Sequence, residues 1–138
     1  MPATLMPWPI LKKPMQGPPT RALQHLMRHH GHDIAADGIF GPETEAAVEA
    51  FQQAEHLVVD GIAGPKTLAA AIVTVRKGDK GPKAEAVKAA QVLVDVTVDG
   101  DFGPKTDAAV RYWQDNLGLV VDGIVGPKTW QALFGAAD

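Results

Sequence analysis

Apolar residues recur along this chain at three- and four-residue steps, the period of an amphipathic helix. Leu23, Leu26, Met27 and His30 follow the spacing i, i+3, i+4, i+7, and Ala47, Val48 and Phe51 repeat it, as do Ala109, Val110, Trp113 and Leu117. Together with the turn signals between them, these runs predict six helices, at about 19–30, 42–54, 65–72, 82–93, 104–116 and 127–134. Short extended stretches such as Val58-Val59 and Val120-Val121 fall between helices. The expected fold class is all-α.

The polar punctuation is more regular than the apolar pattern. Asp37–Thr44 reads DGIFGPET, Asp60–Thr67 DGIAGPKT, Asp99–Thr106 DGDFGPKT and Asp122–Thr129 DGIVGPKT. The second pair is the first displaced by 62 residues, and the flanks follow: Phe51-Gln52 matches Trp113-Gln114, and Leu57-Val58-Val59 matches Leu119-Val120-Val121. Upstream, Leu23-Gln24 corresponds to Ala90-Gln91, but the stretch from this Gln to the first Asp is five residues shorter in the second copy, as befits a surface loop. The chain therefore divides into an N-terminal extension (1–7), a first module (8–72) and a second (73–138), each with three helices. Modules this small fold alone only marginally, so packing of one on the other is expected to help.

Each motif reads as a turn followed by a helix start. The carboxylates of Asp37, Asp60, Asp99 and Asp122 can accept hydrogen bonds from backbone N–H groups just downstream, and Gly38, Gly61, Gly100 and Gly123 supply a backbone shape closed to other residues. Gly41, Gly64, Gly103 and Gly126 then stand at the N-cap, with Pro42, Pro65, Pro104 and Pro127 at the first helical position, where the missing N–H costs nothing. The Thr two residues on can bond back into the turn. Because all four copies share this device, their carboxylates are read as structural rather than catalytic.

Composition narrows the function. The chain has 138 residues with 14 Gly and 11 Pro, an excess the motifs largely absorb. A formal charge of −3 argues against nucleic acid as a partner, since phosphate binding needs concentrated positive charge. Cys is absent, which removes disulfides and thiolate chemistry. The opening MPATLMPWPI is broken by three prolines and gives no signal peptide, and no run of about 18 apolar residues suggests a membrane span. No nucleophile–base set, phosphate loop or cofactor motif stands out, so neither enzyme activity nor a cofactor is expected.

Two metal readings need weighing. His25 and His29 are four apart with His32 nearby, a spacing compatible with zinc, but HExxH is missing and the second module has no His; the expectation is a solvated helix end without metal. Asp95, Asp99, Gly100 and Asp101 imitate part of a calcium loop, yet Thr97 and Thr106 stand where ligands belong. Among the aromatics, Phe51, Trp113 and Trp130 are expected in the core. Tyr112 lies about 100° around its helix from Trp113 and is expected to be exposed.

The residues quoted above resemble the type 1 peptidoglycan-binding domain, a three-helix module with a Leu-Gln helix, DGxFGPxT, AVxxFQ and GLxVDGIVGPKTW. Both copies carry the pattern over nearly the whole chain. Departures are His56 for Gly, Leu68 for Trp and Ala70-Ala71 for Ala-Leu in the first module, and Ala90 and the shortened loop in the second. The resemblance implies noncovalent binding to the glycan and stem peptide of the bacterial wall, with tandem copies raising avidity. Gln24, Arg28, Arg111, Tyr112 and Asn116 are the candidate ligand contacts. It further implies a place at the cell wall or outside the cell, by an export route left open, and a possible protein partner such as a separate wall hydrolase. The alternative is a component of a phage lysis or injection apparatus that uses the same fold to bind a protein.

Overall fold

A computed structural model describes residues 7–137. Six helices follow in order: α1 Pro18–His29, α2 Pro42–Ala54, α3 Pro65–Ala71, α4 Ala84–Val94, α5 Pro104–Asn116 and α6 Pro127–Ala137. A 3-10 turn, Gly81–Lys83, leads into α4. The described residues contain no extended strand, only three isolated bridges. The chain is thus all-α, built from two successive three-helix groups.

The four Gly-Pro junctions set the helix starts because Pro fixes φ in the helical range and lacks the N–H that a first turn leaves unbonded. In α2, α3 and α5 the Gly is the N-cap in an extended conformation with Pro beside it. In α6 the same junction is marked by the Trp130 N–H donating to the Gly126 carbonyl at 2.9 Å. Helix α4 has no such junction, and there the onset expected near residue 82 becomes the 3-10 turn before α4 proper. Helix α6 runs three residues past the expected 134, where Gly135 is buried and Ala137 packs against the core.

Each group is closed by the segment that precedes it. Leu11 and Ala63 exchange two backbone hydrogen bonds of 2.9 and 2.8 Å, tying the lead-in of the first group to the turn before α3. Val75 and Val125 do the same before α6, at 3.3 and 2.8 Å. All four residues are completely buried.

The buried apolar side chains form one continuous cluster running from Leu11 through Phe134. Helices α1 and α4 lie along one another and join the groups, while α1 also touches α2, α3 and α6. Covered on several sides, α1 buries Ala22, Leu23, Gln24, His25, Leu26 and Met27 in succession, most of its circumference rather than one stripe. A further tie crosses between the groups, the Trp8 ring lying 6.1 Å from that of Phe134, and within the second group Trp130 Nε1 donates to the Val73 carbonyl at 2.9 Å.

Candidate functional site

One hydrogen-bonded knot occurs four times, with a buried glutamine at its centre. In the first, Gln24 Nε2 donates toward Asp37 Oδ1 at 3.1 Å, the Ile39 carbonyl at 3.0 Å and Thr44 Oγ1 at 2.9 Å, while its Oε1 accepts from the Gly38 N–H at 2.8 Å. Two amide hydrogens serve three acceptors, so at least one is shared. Gln52 repeats the set with Asp60, Ile62, Thr67 and Gly61. Gln91 does so with Asp99, Asp101, Thr106 and Gly100, and Gln114 with Asp122, Ile124, Thr129 and Gly123. Each knot ties one helix to the turn and to the first turn of the next helix.

The turn geometry demands glycine. The second residue of each motif has φ between 72° and 80°, the left-handed region that side chains rarely adopt. The Asp carboxylate then accepts from the N–H two residues on, at 3.0 Å in all four copies. That backbone hydrogen bond, followed by the one from the Gln amide, holds the carboxyls of Asp37, Asp60 and Asp99 below the usual carboxylate range. Such groups are ionised at neutral pH, the opposite of what a general acid needs.

A hollow opens beside each knot. Those at Asp60 and Asp122 have matching linings, Leu57, Val58 and Ile62 in one and Leu119, Val120 and Ile124 in the other. The hollow at Asp37 is small, about 290 Å³, with Ala35 of the long loop in its wall. Its counterpart at Asp99 measures about 800 Å³. The five residues missing between Gln91 and Asp99 account for the difference, since the chain leaves α4 directly through Asp95, which adopts a left-handed conformation at φ 60°.

The five candidate contact residues do not converge. Gln24 is corrected: it is completely buried and its amide is engaged inside the first knot, which leaves nothing for a ligand. Arg28 joins the two groups, its Nε donating to Glu85 Oε1 at 3.0 Å and its Nη1 to the Ile34 carbonyl at 2.8 Å. Arg111 leans onto the last knot, reaching Asp107 at 3.1 Å and the Asp122 carbonyl at 3.3 Å. Tyr112 is 63% exposed, and Asn116, one helical turn on, is exposed on the same side of α5. Trp113 sits half-buried with Nε1 donating to the Val94 carbonyl at 3.3 Å, and Trp130 and Phe51 are in the core.

One histidine differs from expectation. His25 is not solvated but buried against α4, with Nδ1 2.9 Å from Glu85 Oε2. Because the carboxylate accepts, Nδ1 carries the hydrogen, and the buried Nε2 has no partner. Burial holds the His25 imidazole below its ordinary pKa although Glu85 pulls the other way. Burial works to raise Glu85, but hydrogen bonds from His25 and Arg28 outweigh it and keep that carboxyl below its ordinary value. His30 contacts the Ala71 carbonyl at 2.8 Å and lies over Phe51. Among the described residues, His25, His29 and His32 form no metal centre, and neither do Asp95, Asp99 and Asp101. No described helix is long and apolar enough to cross a membrane.

What sequence reasoning missed is the glutamine. Its signal was present: Gln stands eight residues before Asp in three motifs, and Thr stands seven after Asp in all four.

Comparison with known proteins decides the family. The model of the family described as "Putative peptidoglycan binding domain" matches residues 16–71 and 88–133, one segment in each half. The chain belongs to this family. A zinc D-Ala-D-Ala carboxypeptidase of Streptomyces albus G is 37% identical over 67 residues, covering 43% of this chain and 26% of that protein. An autolytic lysozyme of Clostridium acetobutylicum is 45% identical over 105 residues, 73% of this chain and 32% of that protein. The chain therefore spans about a quarter to a third of these relatives. Among solved structures, the N-terminal domain of SleB is 31% identical with a TM-score of 0.45, covering 46% of this chain and 88% of that one. A Burkholderia AP3 phage endolysin is 27% identical with a TM-score of 0.47, covering 78% and 38%.

Proposed function

We propose that this chain binds bacterial cell-wall peptidoglycan through both of its three-helix groups, that it acts at the wall, and that it does so without cleaving the polymer. The observation that carries the reading is the family match, which occurs once in each half of the chain. A polymer with repeated units rewards such duplication, because the second contact forms at the high effective concentration set by the first. The non-catalytic part of the reading rests on the knots. Their carboxylates are the only acidic groups repeated in all four motifs, and each is fixed as a hydrogen-bond acceptor in a turn.

Tyr112 and Asn116 are the exposed pair best placed for a glycan. An aromatic face stacks on the C–H surface of a sugar, and an amide one turn away hydrogen-bonds its N-acetyl group. The corresponding positions of the first group are Ala50 and Ala54, so this contact belongs to the second group alone. The test is co-sedimentation of the full chain with purified insoluble peptidoglycan. Retention in the pellet supports the reading. A chain left in the supernatant by walls of several cross-link types would sink it.

A further inference from the structure

Between the two groups lies a cleft of about 550 Å³ that neither group forms alone. One wall comes from α1 and the first knot, with Arg21, Asp37 and Ile39; the other comes from the end of α4 and the shortened loop, with Val92, Val96 and Asp95. Arg21 is the cleft's one lining cation, and among the described residues its guanidinium has no ion pair or side-chain hydrogen bond. The other charged groups at this helix pair are matched: Arg28 and Lys88 both reach Glu85, at 3.0 and 3.5 Å. Asp95 and Val96 also line the enlarged hollow at the third knot, so cleft and hollow run together as one trough. In that hollow Asp101 stands where the other three motifs have Ile39, Ile62 and Ile124.

The trough is lined by the guanidinium of Arg21 and the carboxylate of Asp37 from the first group, and by Val92, Val96 and the carboxylates of Asp95, Asp99 and Asp101 with Lys105 from the second. Asp37 and Asp99 are engaged in their knots, while among the described residues Asp95 and Asp101 have no ion pair. A guanidinium recognises a carboxylate, an aliphatic floor takes short alkyl groups, and separated carboxylates take an ammonium. Those carboxylates are not grouped to hold a metal ion. We infer that this inter-module trough is a binding site for a short zwitterionic peptide, of the wall stem-peptide class, with its carboxylate on Arg21, its alkyl side chains on Val92 and Val96, and its amine toward Asp95 and Asp101. The inference rests on the wall-binding reading for its choice of peptide, and on the cleft geometry for its site.

The test titrates the full chain, by calorimetry, with a synthetic stem pentapeptide containing a lysine, with the same peptide acetylated on its amines, with peptide-free glycan fragments, and with calcium alone. Arg21→Ala, Arg21→Lys and Asp95→Asn are compared with wild type and with the remote surface variant Lys77→Ala, after circular dichroism confirms that each is folded. Expected are peptide binding by wild type and Lys77→Ala, a loss of tenfold or more in Arg21→Ala and Asp95→Asn, partial rescue in Arg21→Lys, and weaker binding of the acetylated peptide. Unchanged peptide affinity in Arg21→Ala and Asp95→Asn overturns the site, and so does calcium or bare glycan binding that depends on these residues. Wall co-sedimentation is run in parallel: retention of a chain whose peptide affinity ignores Arg21 leaves the wall reading standing and removes the trough. Arg21-dependent peptide binding without wall retention does the reverse.

Discussion

Replacing Gln24 with leucine separates a structural glutamine from a ligand contact. Leucine nearly fills the same space, so the cost comes from polar groups rather than from a cavity. The Gly38 N–H, buried and bonded to Gln24 Oε1 at 2.8 Å, loses its partner outright. Leaving such a donor unpaired costs about 1–3 kcal/mol. Thr44 Oγ1 can turn toward the Ile39 carbonyl, already 3.5 Å away, so those two groups partly satisfy each other. Asp37 is exposed and regains water. The hydrogen bonds from the amide nitrogen then contribute about 1 kcal/mol each at most, and the whole substitution about 3–5 kcal/mol. A domain-sized protein has about 5–15 kcal/mol in total, so the variant should remain folded at low temperature with a markedly lowered urea midpoint. Urea unfolding followed by circular dichroism measures this. A loss of stability below about 1 kcal/mol would refute the knot argument, most pointedly if wall binding fell at the same time.

The remaining expectations concern the turns, the inter-module contact and the exposed aromatic. Gly100→Ala should cost about 1–3 kcal/mol, because φ is 78° and the added methyl would meet Ala84 Cβ at 3.1 Å and its carbonyl oxygen at 3.3 Å. Gly64→Ala, in extended backbone with open space around it, should cost under about 1 kcal/mol; thermal melts of the two give the contrast. Stability should fall as pH drops below the ordinary His value of about 6.5. His25 has a depressed folded pKa, so the unfolded chain takes up its proton first and the stabilisation present above that pH is lost through the folded pKa. The groups facing it are Glu85, Arg21 and Lys88, and the slope of urea midpoints between pH 8 and 5 should lessen in His25→Gln, with burial of His29, which also lowers its pKa, supplying part of the remainder. Tyr112→Ala should leave the melting temperature within a degree or two while reducing wall retention several-fold, since the ring is exposed and not part of the core.

The helices were legible wherever backbone chemistry alone decides them. Pro42 and Pro104 mark the starts of α2 and α5 at the residues where the structure has them, because a Gly-Pro step fixes both the cap and the first φ. The entry to α4 was less legible because no such step precedes it. The same contrast governs the site. Exposure of Tyr112 follows from its angle relative to Trp113 on one helix. The burial of His25 does not follow from α1 alone, because periodicity reports one apolar stripe and not a second helix, α4, lying along the other side, and Gln24 is buried by the turn and the start of α2 that it bonds. The trough around Arg21 needed that packing as well, although the five-residue shortening that enlarges it was visible in the spacing.

Co-sedimentation of the full chain with purified peptidoglycan, across a range of protein concentrations, tests the central claim most directly. The account predicts saturable retention, competed by soluble wall fragments and accompanied by no release of reducing sugar or free amine. A chain that stays in the supernatant, or a wall suspension that clears in its presence, would contradict it.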